Sequence, residues 1–287
     1  MKPSILIQLD TDDQPSVFDS VVAIDAGAEH LLRHHGITPE NVRDRVYGAI
    51  FTRGGEDLAR TALFIGGSDV RSGEAVLKAV KKAFFGPMRV SAMIDSGGAN
   101  TTAVAAVLAV EKYIALSGVT ALVLAATGPV GQRAVRLLAR QGATVRVASR
   151  DVARAEQVCA AIRAQEPNAK LTAVAAGKAE ETAAAFDGVA VVIAAGAAGV
   201  ELASAHALTQ ARDLKVAVDL NAVPPAGLAG IDVMDKGKER EGRICYGAIG
   251  VGGAKMKIHK AAVKRLFEQN DLVLDAVEIY ELGKALG

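Results

Sequence analysis

The sequence predicts an α/β protein with two domains. Its 287 residues suffice for two domains, since one domain usually has roughly 100–200 residues. Hydrophobic residues make up 51% of the chain and aromatic residues only 4%, a composition that suits helices packed on a parallel sheet. Strand-like apolar runs alternate with helical patterns from residue 119 to residue 221, which indicates parallel strands joined by crossover helices.

One turn in this region, residues 126–131 (ATGPVG), joins a predicted strand to a predicted helix. Gly128 has no Cβ, so its backbone can lie against a pyrophosphate, and Gly131 lets the helix pack closely on the strand. Pro129 suits a first helical turn, whose free N–H groups attract phosphate. The position of the first fingerprint glycine is occupied by Ala126, so an ordinary glycine-rich turn is the alternative. We expect a Rossmann-type domain in which a dinucleotide is bound by Thr127, Gly128, Pro129, Val130 and Gly131.

The next predicted strand, residues 144–148, ends in Ser149-Arg150, and Arg154 follows four residues later. A protein that prefers NAD usually has an acidic residue at this strand end, bound to the ribose 2′-hydroxyl. A hydroxyl and guanidinium groups can bind a 2′-phosphate instead. We therefore expect NADP as the cofactor, held by Ser149, Arg150 and Arg154. Use of NAD as well, and a plain surface role for Arg150, stay open.

Two later strand ends complete the expected dinucleotide site. Residues 189–194 end in the small residues Ala195 and Gly196, against which the ribose on the nicotinamide side can lie. Residues 216–220 form the next predicted strand and end in Asn221. Because ligands of such sheets bind outside the carboxyl ends of the strands, we expect Ala195, Gly196 and Asn221 to contact the cofactor.

The N-terminal part contains further strand and helix patterns. Strands are predicted at residues 4–9, 46–52, 61–65 and 89–94, and helices at residues 16–28, 72–84 and from about 102 to 116. The first strand is followed by Asp10 and Asp12, which could form the wall of a site or simply a solvated turn that caps the helix. His30, His34 and His35 have no carboxylate at a familiar metal spacing and are interpreted as surface residues.

A polar segment, residues 95–102 (DSGGANTT), follows the strand at residues 89–94. Asn100 or Thr101 could cap the next helix, but one cap explains one polar residue and this segment has five. We therefore expect Asp95, Asn100, Thr101 and Thr102 to line a ligand site, with plain helix capping as the alternative.

The last part of the chain is rich in glycine and lysine. Residues 231–243 are polar and predicted to be exposed, and residues 247–254 lead into a helical region with many cations. Asp275 is expected to start the final helix. If these helices pack on the N-terminal part, residues 1–115 and 254–287 form one α/β substrate domain, and residues 116–253 form the dinucleotide-binding domain.

Several classes of partner are not expected. The net charge of +1 gives no electrostatic reason to bind nucleic acid or a membrane. No signal-peptide pattern occurs at the start, and the apolar runs are shorter than the roughly 20 residues that cross a bilayer. Cys159 and Cys245 lie far apart, without a metal or redox spacing. We expect a cytoplasmic protein without a metal, and the alanine-rich helices favour a homo-oligomer.

Five stretches taken together resemble one enzyme family. They are residues 10–19 (DTDDQPSVFD), 84–102 (FFGPMRVSAMIDSGGANTT), 126–131 (ATGPVG), 219–225 (DLNAVPP) and 250–260 (GVGGAKMKIHK). These stretches are similar to the NAD(P)-dependent methylene-tetrahydromethanopterin dehydrogenases, and the resemblance covers nearly the whole chain. It implies a role in one-carbon metabolism, with a tetrahydromethanopterin-type carrier as the substrate.

The reaction of that family converts methylene-tetrahydromethanopterin and NAD(P)+ into the methenyl form and NAD(P)H. Loss of hydride leaves a cation shared by two nitrogens, so a general base is unnecessary and orientation is the main task. The resemblance implies that Lys255 is the active-site lysine, although a solvated lysine-rich helix face is the alternative. The expected catalytic residues are Lys255, Asp95 and Thr102, and the expected substrate-binding residues are Asp10, Asp12, Asn100, Thr101, Lys257 and His259.

Three alternatives stay open at this point: a methylene-tetrahydrofolate dehydrogenase, a shikimate-type dehydrogenase and a non-catalytic redox sensor that binds NADP. Bifunctional folate enzymes carry a Tyr-x-x-x-Lys motif in their first domain. In this chain the spacing occurs only at Tyr280 and Lys284, in the predicted last helix, where a chance match is the simpler interpretation.

Overall fold

The computed structural model describes residues 2–287 and divides the chain into two compact units. Unit 1 runs to Thr101 and also contains Met256–Gly287, whereas unit 2 is Thr102–Lys255. The sequence placed its domain boundaries at residues 115/116 and 253/254. In the structure the unit boundaries fall inside two helices, Ala99–Glu111 and Ala248–Arg265.

Strands and helices alternate along most of the described chain, which confirms the predicted α/β class. The strands are β1 (Ile5–Asp10), β2 (His30–His34), β3 (Thr61–Gly66), β4 (Ser91–Ile94), β5 (Thr120–Leu124), β6 (Thr144–Ser149), β7 (Lys170–Ala175), β8 (Val191–Ala194), β9 (Val216–Asp219), β10 (Lys236–Arg240), β11 (Arg243–Tyr246) and β12 (Val273–Leu274). The helices are α1 (Val17–Asp25), α2 (Val42–Phe51), α3 (Val70–Ala83), α4 (Ala99–Glu111), α5 (Pro129–Arg140), α6 (Val152–Gln165), α7 (Ala179–Ala185), α8 (Ala205–Gln210), α9 (Ala248–Arg265) and α10 (Ala276–Ala285). No helix within residues 2–287 is both long enough and apolar enough to cross a membrane.

Unit 1 is built on a sheet of five parallel strands in the order β12-β4-β3-β1-β2. β1 pairs with β2 on one side and with β3 on the other, so the chain winds in opposite directions from β1. In sheets of this kind the loops after β1 and β3 diverge, and ligands bind in the crevice at those carboxyl ends. The acidic segment at residues 10–13 and the segment at residues 67–69 lie at this crevice.

Two parts of unit 1 correct the sequence prediction. Residues 46–52 were expected to form a strand, but they lie mostly in α2. The buried residues of this helix share one helical face, and they are Val42, Val46, Ala49 and Ile50. Residues 30–34 form the edge strand β2, which was not predicted, because its side chains are exposed or half-buried and no apolar alternation marks it.

Unit 2 contains a sheet of seven strands in the order β10-β11-β9-β8-β5-β6-β7. Six of them are parallel, and β10 runs antiparallel to β11 at the edge. The order from β7 to β11 is that of a Rossmann sheet, whose crevice lies where the winding reverses, between β5 and β8. β8 and β9 are buried along their whole length, as strands with helices on both faces must be.

The hairpin β10–β11 was not predicted from the sequence. The sequence predicts an exposed polar segment at residues 231–243, and β10 is indeed mostly exposed. β11, however, pairs in parallel with β9 and buries Cys245 and Tyr246. β10 lies at the edge of the sheet and is polar, so its sequence shows no alternation of apolar residues. The sequence pattern therefore does not reveal the hairpin.

Candidate active site

The turn between β5 and α5 contains one left-handed residue. Ala125 has a φ of 54°, a region that residues other than glycine rarely adopt, at a cost of about 1–2 kcal/mol. The next residue, Ala126, is fully buried and donates its N–H to the carbonyl oxygen of Ala148 at 2.9 Å. The turn is therefore tied to the end of β6. Backbone strain of this kind is common where a loop serves a ligand.

The two glycines of this turn have different roles. A Cβ at Gly131 would lie 2.8 Å from the Cα of Ala126 and 2.9 Å from the carbonyl oxygen of Ala125, so α5 could not lie this close to β5. A Cβ at Gly128 would meet the carbonyl oxygens of Ala125 at 3.5 Å and Ala195 at 3.8 Å, which are ordinary contact distances. The φ of Gly128, −75°, suits any residue. The packing of the chain thus requires glycine at position 131 but not at position 128. A ligand that lies against the backbone would explain the glycine at position 128.

A cavity of about 710 Å³ lies in unit 2 at the carboxyl ends of its central strands, a size typical of cofactor sites. Five of the residues expected to bind the cofactor line this cavity, and they are Thr127, Ser149, Arg150, Arg154 and Gly196. Pro129 begins α5, with Gly128 as its N-cap residue. The cavity therefore joins the glycine turn to the expected 2′-phosphate residues. Its residues fit a dinucleotide.

Three exposed cations line this cavity: Arg150, Arg154 and Lys178. Lys178, three residues after the end of β7, was missed in the sequence. The rule that ligands lie at strand ends was applied to the ends of β6, β8 and β9 but not to that of β7. Applied there, it would have found Lys178.

Asn221 connects two loops of unit 2. Its Oδ1 accepts hydrogen bonds from the backbone N–H of Gly199 at 3.2 Å and of Val223 at 3.0 Å, and its Nδ2 donates to the carbonyl oxygen of Pro225 at 2.8 Å. These bonds tie the loop after β8 to the loop after β9. Asn221 is buried, so its contact with the cofactor stays a prediction. Ala195 is fixed through its N–H, which donates to the carbonyl oxygen of Leu124 at 3.1 Å.

Asp219, at the end of β9, holds the loop after β9 through hydrogen bonds to its backbone. Its carboxylate accepts hydrogen bonds from the backbone N–H of Asn221 and of Leu228, each at 3.0 Å. A Cβ at Gly227 would lie 2.7 Å from Oδ1 of Asp219, so this carboxylate leaves no room for a side chain at position 227. Burial raises the pKa of Asp219, against the opposing effect of these N–H groups.

In unit 1, Asp10 has no exposed surface. Its Oδ1 accepts from the N–H of Asp12 and its Oδ2 accepts from the N–H of Ser16, both at 3.0 Å. Asp12 spans the crevice, because its carboxylate accepts from the N–H of Ser68 at 2.9 Å and from the hydroxyl of Ser68 at 3.0 Å. Asp10 thus shapes the loop after β1, and Asp12 joins this loop to the loop after β3.

Asp95 holds the start of α4. Its Oδ1 accepts from the backbone N–H of Asn100 at 2.9 Å and of Thr101 at 3.0 Å, and its Oδ2 accepts from the hydroxyl of Thr101 at 2.6 Å. Asn100 donates from Nδ2 to the carbonyl oxygen of Ile94 at 2.7 Å and to Asp275 Oδ1 at 3.0 Å. Asp95, Asn100 and Thr101 are all buried. The network fixes a helix start and connects it to the N-cap residue of α10.

The helix α9 carries the predicted active-site lysine. Lys255 is half-buried and Lys257 is exposed, whereas His259 has no exposed surface. The Nδ1 atom of His259 lies 3.8 Å from Oδ2 of Asp95. Because residues four apart share one face of a helix, Lys255 lies one turn from this histidine. His259 belongs to no group of three potential metal ligands within residues 2–287.

Five of the residues expected in the substrate site are buried, and they are Asp10, Asp95, Asn100, Thr101 and His259. Several of their observed contacts hold loops and helices in place. The other expected residues retain exposed surface, and they are Asp12, Thr102, Lys255 and Lys257. Contact with a substrate stays a prediction for all nine.

Comparison with known proteins gives one matching family model and two full-length relatives. The model described as "Methylene-tetrahydromethanopterin dehydrogenase, N-terminal" matches residues 17–97. "Bifunctional protein MdtA" of Methylorubrum extorquens is 45% identical over 290 residues and is covered completely, as is this chain. The "NAD(P)-dependent methylenetetrahydromethanopterin dehydrogenase" of the same organism is 32% identical over 292 residues, with 99% of this chain and 98% of the relative covered.

Several solved structures share the fold. The 5-ketofructose reductase of Gluconobacter sp. strain CHM43 has a TM-score of 0.57 at 14% identity, with both chains covered completely. The shikimate 5-dehydrogenase of Listeria monocytogenes, in complex with shikimate and NAD, has a TM-score of 0.56 at 11% identity over 99% of this chain and 96% of that one. At these identities the likeness concerns the architecture alone.

Proposed function

We propose a reaction from one premise: this chain belongs to the methylene-tetrahydromethanopterin dehydrogenase family. The family resemblance drawn from five stretches of the sequence is thereby confirmed. The proposed reaction removes a hydride from methylene-tetrahydromethanopterin and gives the methenyl form. The full-length similarity to a relative named for this activity carries the proposal. A homo-oligomer stays a prediction.

The chemistry asks little of the side chains beyond orientation. The methylene carbon loses a hydride, and the resulting cation is shared by its two neighbouring nitrogens, so no base has to remove a proton. NADP, when bound, supplies the hydride acceptor. The rate then depends on holding the reacting carbons about 3–3.5 Å apart. Asp95 and Asn100 are suited to this task indirectly, because they fix the starts of α4 and α10.

Lys255 is our candidate for the residue that orients the carrier. It is half-buried on α9, and the next turn of that helix is anchored in unit 1 by the buried ring of His259. An anchored helix limits the positions that the lysine can adopt, which is what an orienting group requires. We assign Asp95 and His259 to positioning. Lys257 is exposed and is the competing candidate.

NADP is the proposed cofactor, rather than NAD alone. The support is the cavity in unit 2, which Ser149, Arg150 and Arg154 all line. The acidic residue that follows Arg150, Asp151, is engaged as the N-cap residue of α6. A 2′-phosphate is a doubly charged group with several acceptor oxygens, and guanidinium groups are its preferred partners.

The deciding experiment measures absorbance of the reduced nucleotide with four substrate pairs: the methanopterin and the folate carrier, each with NADP and with NAD. The proposal expects turnover with methylene-tetrahydromethanopterin and NADP. Turnover with the folate carrier alone would establish the first alternative instead, and NADP binding without turnover of either carrier would establish the redox sensor.

The role of Lys255 is tested by comparing Lys255→Ala with Lys264→Ala, a control at an exposed position of the same helix. Lys255→Ala should lower kcat by at least about tenfold, the loss expected when an orienting contact is removed, while NADP binding persists. Lys264→Ala should behave like the wild type. A large loss in Lys257→Ala together with normal activity in Lys255→Ala would move the role to Lys257.

A further inference from the structure

We propose that Lys178 is a third anchor of the 2′-phosphate and helps to decide between NADP and NAD. This inference rests on the proposed cofactor and adds a residue from a strand end that the dinucleotide fingerprint does not include. Lys178 is the N-cap residue of α7, three residues after the carboxyl end of β7. It lines the 710 Å³ cavity together with Arg150 and Arg154.

The position of Lys178 beside Arg150 is fixed by the backbone. β6 and β7 pair in parallel up to Ser149 and Ala175, and beyond this pair the N–H of Ala176 donates to the carbonyl oxygen of Ser149 at 2.9 Å. A Cβ at Gly177 would lie 3.4 Å from the Cα of Arg150. The two loops therefore touch, and Lys178 follows Gly177 directly in the loop that lies against Arg150.

The nearby carboxylates are occupied in ways that leave the three cations unpaired. Glu181 accepts from the backbone N–H of Gly177 at 2.9 Å and of Lys178 at 3.2 Å, so it caps the backbone rather than the lysine side chain. Asp151 likewise accepts from the N–H of Ala153 at 2.9 Å and of Arg154 at 3.4 Å. Within residues 2–287 none of the three cations forms an ion pair.

One further acid, Glu201, lines the same cavity. It belongs to the loop that follows β8, and β8 is separated from β6 by β5. Since neighbouring strands lie about 4.8 Å apart, this loop starts roughly 10 Å from the end of β6 and farther from the end of β7. Within the described residues Glu201 forms no ion pair with any of the three cations.

Three unpaired cations favour the binding of an anion such as the 2′-phosphate of NADP, but they do not strengthen the binding of NAD. A phosphate monoester carries about 1.5 to 2 negative charges at pH 7, and a single arginine leaves part of this charge uncompensated. Lys178 supplies compact positive charge from the strand next to the arginines. The adenosine ribose of NAD has only a neutral hydroxyl at this position, so the same cations contribute little to its binding.

The test compares full-length Lys178→Gln with the wild type by calorimetry, using adenosine 2′,5′-bisphosphate and adenosine 5′-monophosphate as probes. Lys170→Gln is the matched control, since Lys170 is exposed at the opposite end of β7. Loss of a charged hydrogen bond predicts that Lys178→Gln weakens the bisphosphate by about tenfold or more and barely affects the monophosphate. Lys178→Arg should restore most of the affinity.

Equal weakening of both probes would mean that Lys178 contacts another part of the nucleotide, and no weakening of either would remove it from the site. Both results overturn the inference. The reaction is judged separately: wild-type protein that binds the bisphosphate but does not oxidise methylene-tetrahydromethanopterin contradicts the proposed function and leaves Lys178 untouched. Normal turnover together with an unchanged Lys178→Gln variant contradicts only the role of Lys178.

Discussion

The imidazole ring of His259 lies nearly parallel to the phenyl ring of Phe64, with 5.6 Å between the ring centres and 16° between the planes. Phe18 approaches the same imidazole, with its ring centre 6.3 Å away. Asp95 adds a carboxylate oxygen 3.8 Å from Nδ1. The histidine is therefore held between two aromatic rings with a carboxylate beside its Nδ1, and these contacts anchor α9 in unit 1.

This packing predicts different stabilities for two variants of His259. His259→Phe keeps a flat ring against Phe64 and should change the free energy of unfolding by less than about 1.5 kcal/mol. His259→Ala leaves a cavity in a fully buried position and should cost about 3 kcal/mol. Urea unfolding measures both. Equal losses in the two variants would show that the polar contact with Asp95 outweighs the ring packing.

The two glycines of the nucleotide turn are predicted to respond differently to alanine. Gly131→Ala places a Cβ 2.8 Å from backbone of the preceding strand end, so it should destabilise unit 2 by about 1–3 kcal/mol. Gly128→Ala should leave the free energy of unfolding nearly unchanged and weaken NADPH binding. Unfolding curves and fluorescence titrations with NADPH test the pair. Unimpaired NADPH binding in Gly128→Ala would contradict contact between this backbone and the pyrophosphate.

Arg150 is predicted to discriminate between the two nucleotides. Arg150→Gln should weaken NADP by about tenfold or more, as expected for the loss of a charge-assisted hydrogen bond, and should weaken NAD much less. Titration of the variant with each nucleotide gives the two dissociation constants, and Arg212→Gln, at an exposed position, serves as the control. A similar loss for both nucleotides would assign Arg150 to a part that they share.

Asp219 is predicted to make the stability of the protein depend on pH. Its pKa is raised by burial, so between the unfolded and the folded pKa the folded state binds more protons than the unfolded state. The free energy of unfolding contributed by this group is highest below the unfolded pKa, and it falls as the pH rises through the folded pKa. Asp219→Asn removes this dependence. The stability of the wild type relative to Asp219→Asn should therefore decline from about pH 4 upward. Urea unfolding of both proteins at several pH values measures this difference. If the free energies of unfolding of the two proteins changed in parallel with pH, the prediction would be contradicted.

Much of the fold could be predicted because its parallel strands are short, apolar and separated by capped helices. Ser16, Asp69, Asp151 and Asp275 cap helices that the sequence locates within a few residues. The failures have physical reasons. In α2, the β-branched and aromatic residues between 46 and 52 imitate a strand, and only Val42 at the preceding turn reveals the helical face.

The candidate site was predicted less completely than the fold. Polar residues at strand ends were located well, but the sequence does not tell whether a carboxylate faces a ligand or the backbone. Asp95 illustrates this, since its hydrogen bonds to Asn100 and Thr101 connect residues five and six positions away in a buried network. The sequence argument was that one helix cap explains only one of the five polar residues in this segment. In the structure, several of these residues together form the start of α4.

The two-residue strand β12 also affects the order in which the chain can fold during synthesis. It pairs with β4, and the N–H of Ala92 donates to the carbonyl oxygen of Leu272 at 2.8 Å. All of unit 2 is translated between these partners, so unit 2 is complete on the ribosome while the sheet of unit 1 still lacks its last strand. An unpaired strand edge is prone to aggregation. The time needed to translate residues 102–272 sets how long the edge of β4 stays without its partner strand β12. During synthesis the sheet of unit 1 is thus completed only after unit 2, although its first four strands emerge earlier.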